Sequence, residues 1–261
     1  MRVALVSLNQ AWENKDQNLI ACRAFIQRAK AQDVDLLIFP EMTLTSFSMN
    51  TSVTAEDSQT SKTVESFKAL AQEFQIAIVF GVVFKDGDKA TNNALLVDCV
   101  GAIKASYIKM HPFTFAGEDK MFNGGSAISF GTVCNMTIGL TICYDLRFPE
   151  LYSALSKHCD CIINIANWPA KRVGHWNVLL KSRAIENQIF VVGVNRTGLD
   201  DNRFEYKESS QVINPNGDLL GEFLSEDQLH VYEIDPSFIN QFRQTFSTTQ
   251  DRKSEVYKAI L

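Results

Sequence analysis

The order of elements along this chain predicts a layered α/β fold with mixed sheets. Strand-like runs come in groups of two or more between amphipathic helices, which disfavours a doubly wound βαβ repeat. No Pro/Ser/Gly-rich linker interrupts the 261 residues, so one domain spanning residues 1–261 is expected. The composition, 46% hydrophobic and 21% charged, is ordinary for a globular chain and excludes a disordered, collagenous or coiled-coil protein.

The elements follow in order. Residues 2–8 read as a strand. Over 15–30, apolar residues at 19, 20, 22, 25, 26 and 29 share one helix face. Residues 35–40 (DLLIFP) form a short buried strand stopped by Pro40. Residues 51–61 are polar and read as a loop, and 62–74 as a second helix. Two β-rich runs, 76–84 and 92–100, flank KDGDKAT, whose Asp86-Gly87 pair signals a turn. Residues 102–109 continue as a strand. The irregular stretch 111–125 contains Pro and Gly and is a candidate functional loop. Residues 127–143 hold two strands split at 131–135. A helix over 148–157, a strand over 161–167 and a helix over 174–187 come next. Strands over 189–195, 211–223 and 229–234 close the set, with NPNG (214–217) as a hairpin turn. Asp235 is read as the N-cap of a last helix over 236–246, with Pro236 at its first position.

Charge and cysteines bound the function. The net charge is −5 and no Lys/Arg cluster occurs, so no nucleic-acid partner is expected and small molecules are the natural substrates. No apolar run approaches the ~20 residues of a membrane span, so no membrane association is expected. The start MRVALVSLNQAWENK does not read as a signal peptide. The six cysteines (22, 99, 134, 143, 159 and 161) read as reduced thiols of a cytoplasmic protein. Cys159 and Cys161 read as same-facing residues of one strand, either simply buried or a metal or redox pair.

Three side chains could carry chemistry. Cys143 lies between the apolar run MTIGLTI and the helix-starting YDLRFPELY, at a strand-to-helix corner. Backbone N–H groups there could lower a thiol pKa and bind an oxyanion, although a buried cysteine is often inert. A catalytic cysteine needs a proton acceptor. His158 and His230 read as surface residues, while His111 and His175 are possible partners without a distinctive setting. Glu41 is the carboxylate alternative: it follows DLLIFP, where desolvation would make it a better base, or it is a capping or ion-paired residue. Lys109 ends SYIK and is either a surface charge or a cation beside the thiol. Three strand ends would thus supply a nucleophile, a base and a cation, where α/β sheets gather ligands.

The blocks PEMTLTSFS (40–48), YIKMHPF (107–113) and TICYDLRFPELY (141–152) resemble the three signature blocks of the nitrilase superfamily of carbon–nitrogen hydrolases. Their order and their spacings of 68 residues from Glu41 to Lys109 and 34 from Lys109 to Cys143 also match. The resemblance implies a four-layer αββα sandwich, a homodimer that doubles it, and a Glu–Lys–Cys catalytic triad. It makes Glu41 the general base, Cys143 the nucleophile and Lys109 the stabiliser of the tetrahedral intermediate. Glu118, nine residues beyond Lys109, fits the place of a second glutamate that orients the lysine or the substrate amide. The Tyr144 backbone N–H would share the oxyanion with Lys109. No cofactor and no metal are implied.

Residues 164–188 and 195–202 are similar to the ω-amidase branch, which includes 2-oxoglutaramate amidases. That branch hydrolyses the terminal amide of α-keto-ω-amides to a dicarboxylate and ammonia. Such a substrate carries a carboxylate, for which Arg172 is the preferred partner and Arg147 the second. Arg147 alternatively forms a structural ion pair. Phe115, Phe122 and Trp168 could wall the pocket, or belong to the core. The alternatives are a hydrolase of another amide, an N-carbamoyl compound or a nitrile on the same site, and a catalytically silent or thiol redox protein. The redox reading needs a resolving thiol near Cys143, for which Cys134 is the candidate.

Overall fold

The computed structural model describes residues 1–260, which form two mixed β-sheets stacked face to face with helices on both outer faces. In chain order the elements are β1 (Arg2–Val6), α1 (Lys15–Ala31), β2 (Leu36–Ile38), α2 (Thr51–Thr54), α3 (Lys62–Phe74), β3 (Ala77–Asp86), β4 (Lys89–Val97), β5 (Ile103–Ile108) and α4 (Glu118–Met121). Then come β6 (Phe130–Val133), β7 (Met136–Ile142), α5 (Pro149–Leu155), β8 (Cys161–Ala166), α6 (Val173–Asn187), β9 (Phe190–Asn195), β10 (Gly198–Leu199), β11 (Glu205–Tyr206), β12 (Gln211–Ile213), β13 (Leu224–Glu226), β14 (Leu229–Glu233), α7 (Ser237–Thr245) and α8 (Ser254–Ile260).

One sheet runs β13-β14-β1-β2-β3-β4-β5, parallel over β1–β2–β3 and antiparallel elsewhere. The other runs β12-β9-β8-β7-β6, parallel over β7–β8–β9. The period-2 alternation of β1 divides the core into layers. Val3 and Leu5 point into the seam between the sheets, with Ile138, Leu140 and Ile163. Ala4 and Val6 point outward, beneath Phe25 and Ile26 of α1 and Phe67 and Leu70 of α3. On the far side, Trp176, Leu180 and Ala184 of α6 cover the second sheet. This is the four-layer αββα sandwich.

Several local expectations are corrected. The 51–61 loop contains the single turn α2, and the 111–125 loop contains α4. The run read as a strand over 211–223 is strand only over β12: the Asn214–Gly217 turn follows at once, and the chain then crosses to the edge of the other sheet as β13. Cys143–Arg147 forms a 3-10 turn before α5 begins at Pro149. Pro236, not Asp235, occupies the cap position of α7, although the Asp235 carboxylate still accepts the Ser237 N–H at 2.9 Å. Strand β8 begins at Cys161, so Cys159 is not its strand partner; both are buried.

Candidate active site

The ends of β2, β5, β7 and β8 meet at one edge of the sandwich. Glu41 sits in a tight turn three residues beyond β2, where Met42 adopts a φ of +47°. Gln10 stabilises that turn by donating Nε2 to the carbonyls of Glu41, Met42 and Thr43 at 3.1, 2.9 and 3.1 Å. Thr43 pins it to β3 by accepting the Gly81 N–H on its hydroxyl at 2.8 Å.

Lys109 follows β5. Its ammonium is 1% exposed and contacts two carboxylates that are each fully buried: Glu41 Oε1 at 3.0 Å and Glu118 Oε2 at 2.8 Å. Glu118 stands at the start of α4, and its Oε2 also accepts the Phe113 N–H at 2.6 Å, which folds the loop back over the lysine. Burial alone would lower the lysine pKa, but Glu118 and Glu41 outweigh it and hold the ammonium above its ordinary range.

Cys143 turns the corner from β7 with a φ of +45°, a strained conformation for a residue with a side chain. Asp145 latches this corner. One carboxylate oxygen accepts from Ile142 N (3.0 Å) and Tyr107 Oη (2.8 Å), and the other from His111 N (3.1 Å). The end of β5 and the end of β7 are therefore tied through one buried side chain. The Cys143 thiol lies 4.0 Å from the Asn167 carbonyl. Burial and then the Glu41 charge push its pKa well up, against the downward pull of Lys109. This corrects the expectation of a lowered thiol pKa: these surroundings favour the neutral thiol, whose attack on a substrate would need a base.

A cavity of about 300 Å³ opens over these groups. Phe47, Phe113, Phe115, Tyr144, Trp168, Phe204 and Tyr206 wall it, and the guanidiniums of Arg147 and Arg172 reach it. Arg147 lies 4.9 Å from the Trp168 ring centroid, and Arg172 5.5 Å from that of Phe113. Among the described residues neither forms an ion pair, so Arg147 is not the structural salt bridge weighed above. An apolar pocket with two guanidiniums free of carboxylate partners suits a small anion.

Glu41, Lys109, Cys143, Glu118, Tyr144, Arg147, Arg172, Trp168 and Phe115 are thus brought together. Phe122 is not: it is 2% exposed in a separate cluster with Met42, Val83 and Ala90. His111 binds Asp145, and His175 lies 3.4 Å from Arg147 Nη2. His230, read as a surface residue, is 7% exposed between Glu208 and Glu222. Cys134 lies in the turn at the opposite end of β7 from Cys143, which removes it as a resolving thiol. Asn92 and Asn167, which hold Glu41, were missed. The signal for Asn92 was available: two asparagines inside the otherwise apolar run TNNALLV are poor strand formers unless the fold uses their amides.

The carbon-nitrogen hydrolase model matches residues 2–244. The chain belongs to the carbon-nitrogen hydrolase family. Among relatives of this carbon-nitrogen hydrolase, the omega-amidase of Escherichia coli is 30% identical over 96% of each chain. The 2-oxoglutaramate amidase of Paenarthrobacter nicotinovorans is 37% identical over 64% of this chain and 59% of its own. A crystal structure of a CN-hydrolase superfamily protein from Xanthomonas campestris, with an arsenic adduct in its active site, superposes with a TM-score of 0.89 at 29% identity, covering 97% of both chains. The family makes this chain an amide-hydrolysing enzyme, on the nitrilase-superfamily fold. Among the described residues no His/Cys/Asp/Glu group is arranged to hold a metal, and no helix is long and apolar enough to cross a membrane.

Proposed function

We propose that this carbon-nitrogen hydrolase is an ω-amidase. It cleaves the terminal amide of a small α-keto-ω-amide such as 2-oxoglutaramate to the dicarboxylate and ammonia. The observation that carries the reading is the buried Glu41–Lys109–Glu118 cluster beside Cys143, beneath a cavity with two guanidiniums free of carboxylate partners. The relatives named omega-amidase and 2-oxoglutaramate amidase support the substrate class.

The residues act in sequence. Glu41 takes the Cys143 thiol proton as sulfur attacks the amide carbon. The oxyanion of the tetrahedral intermediate is held by Lys109 and the Tyr144 backbone N–H. Glu41 returns the proton to the departing nitrogen, ammonia leaves, and a thioester remains. Glu41 then deprotonates a water that attacks the thioester, and the released thiolate recovers the proton. Glu118 orients Lys109. Arg172, with Arg147 beside it, holds the carboxylate remote from the amide, and Trp168 and Phe115 wall the carbon chain.

Ammonia release from 2-oxoglutaramate by wild type, lost in Cys143→Ala, is the expected result. No wild-type release overturns the substrate, and undiminished release by the variant overturns the nucleophile. We propose further that residues 1–261 act as one hydrolase domain in a homodimer, supported by Val178 and Ile185 exposed on the outer face of α6. Sedimentation of the pure protein as a monomer would overturn that. The six free cysteines support a reducing, cytoplasmic setting.

A further inference from the structure

In the resting site every N–H of the Lys109 ammonium is engaged. It donates to Glu41 Oε1 at 3.0 Å, Glu118 Oε1 at 3.0 Å and Glu118 Oε2 at 2.8 Å. To hold an oxyanion, the lysine must turn one of them away. That would strip a donor from a buried carboxylate oxygen, at the full cost of an unsatisfied charge. Asn92 supplies a second donor at both critical oxygens. Its Nδ2 donates to Glu41 Oε1 at 2.8 Å and to Glu118 Oε1 at 3.2 Å. Lys109 Nζ, Glu41 Oε1, Asn92 Nδ2 and Glu118 Oε1 therefore close a ring in which each oxygen has two donors.

The backbone places Asn92 there. It lies inside β4, is 1% exposed, and its carbonyl accepts the Lys109 N–H at 2.8 Å. Only the NH₂ end of its amide can face two ionised carboxylates. Its Oδ1 meets no donor among the described residues, a stability cost with no structural return. A neutral donor suits the charge balance. Two carboxylates and one ammonium leave one negative charge for proton abstraction; a second cation would cancel it and a third carboxylate would add repulsion.

We propose that Asn92 is a positioning residue that holds the Glu41 and Glu118 carboxylates in place while Lys109 turns an N–H toward the substrate oxyanion. This rests on the roles given above to Glu41, Lys109 and Cys143. Asn92 does not line the cavity and acts through its three neighbours.

The test compares Asn92→Leu and Asn92→Ser with wild type and Cys143→Ala in amide hydrolysis across pH, alongside thermal unfolding. The groups that face Glu41 are Lys109, Glu118 and the Cys143 thiol, and all three remain in both Asn92 variants. In Asn92→Leu kcat falls roughly 10–100-fold, as misplacement of a reacting group does, with KM within about threefold. The acidic limb of kcat/KM moves up by about one pH unit, because a carboxylate that loses a donor holds its proton more tightly. Asn92→Ser keeps one O–H donor and falls between the two. If Asn92→Leu does not fold, the Asn92→Ser profile decides. An unshifted profile with unchanged kcat, accompanied only by a lower Tm, overturns the proposal and leaves Asn92 a structural residue. Turnover that persists in Cys143→Ala overturns instead the reading of the site on which the proposal rests.

Discussion

Asn167 grips Glu41 at both ends: its backbone N–H donates to Glu41 Oε2 at 2.9 Å, and its side-chain amide donates to the Glu41 carbonyl at 2.7 Å. The two residues are 126 positions apart and come from different sheets, so this contact fastens the sheets together at the site. Asn167→Ala removes the side-chain bond and keeps the backbone one. It is expected to lower kcat about tenfold, while Glu41→Gln lowers it by roughly 10²–10⁴, the range of a lost general base. Steady-state kinetics on the two variants would check the ordering; equal losses would contradict it.

The thiol of Cys143 is held above its ordinary range by burial and by Glu41. Loss of activity to iodoacetamide should therefore keep accelerating as pH rises through about 8.5, the reference thiol value. Activity, not total labelling, must be followed, because Cys99 and Cys134 are exposed. A plateau reached below neutrality would mean a preformed thiolate and contradict the neutral resting state.

Arg172 and Arg147 line the cavity in which the remote carboxylate of the proposed substrate would lie. Arg172→Ala should raise KM for a carboxylate-bearing amide by roughly 10–100-fold, the worth of a charged hydrogen bond. A neutral amide of the same length should be affected little. A uniform loss on both substrates would remove Arg172 as the carboxylate partner and turn attention to Arg147.

Gly81 lies against the turn that carries Glu41. A Cβ there would come within 2.3 Å of the Met42 backbone nitrogen and 3.0 Å of the Glu41 carbonyl carbon. Since the contacts are backbone, the turn must move. Gly81→Ala should cost about 1–3 kcal/mol of stability and about 100-fold in kcat. Differential scanning calorimetry and kinetics on one preparation would show both; a wild-type kcat would contradict it.

Glu56 caps the start of α3. It accepts from Thr63 N at 3.0 Å, Thr63 Oγ1 at 2.6 Å and Ser61 Oγ at 2.5 Å, and pairs with Lys15 at 2.7 Å. Burial raises its pKa, but these donors together outweigh it and lower the value from 4.5 to about 2. A depressed carboxylate pKa stabilises the fold above its unfolded value, and the contribution is lost as pH falls from about 4.5 toward 2. Glu56→Gln should cost about 2 kcal/mol at neutral pH, and the difference from wild type should vanish in that acid window. Urea unfolding at several pH values would measure it, and a pH-independent difference would contradict it.

Much of this was legible in the residues. The apolar run of β1, the amphipathic face of α1 and the stop at Pro40 are short-range signals, and β1, α1, β2 and α3 formed within a few residues of where they were expected. Glu41, Lys109 and Cys143 were readable because each follows a strand, where side chains converge. Glu118 was legible only through the family spacing, since no local pattern sets a loop residue against a lysine. Phe122 and Phe115 were indistinguishable as sequence. The fold buries one with Met42 and leaves the other 86% exposed at the cavity mouth.

The sequence by itself determined the layered α/β class, the strand ends after which Glu41, Lys109 and Cys143 stand, and the family to which the chain belongs. Tertiary structure alone decided what those groups do to one another. Whether Cys143 rests as a thiol or a thiolate depends on the burial and the Glu41 charge that packing brings to it. Asn92, Asn167 and Asp145 became part of the site because β4, β8 and the 3-10 turn deliver them to the same edge. Electrostatic and hydrogen-bond energies depend on distance and burial in space, and separation along the chain sets neither.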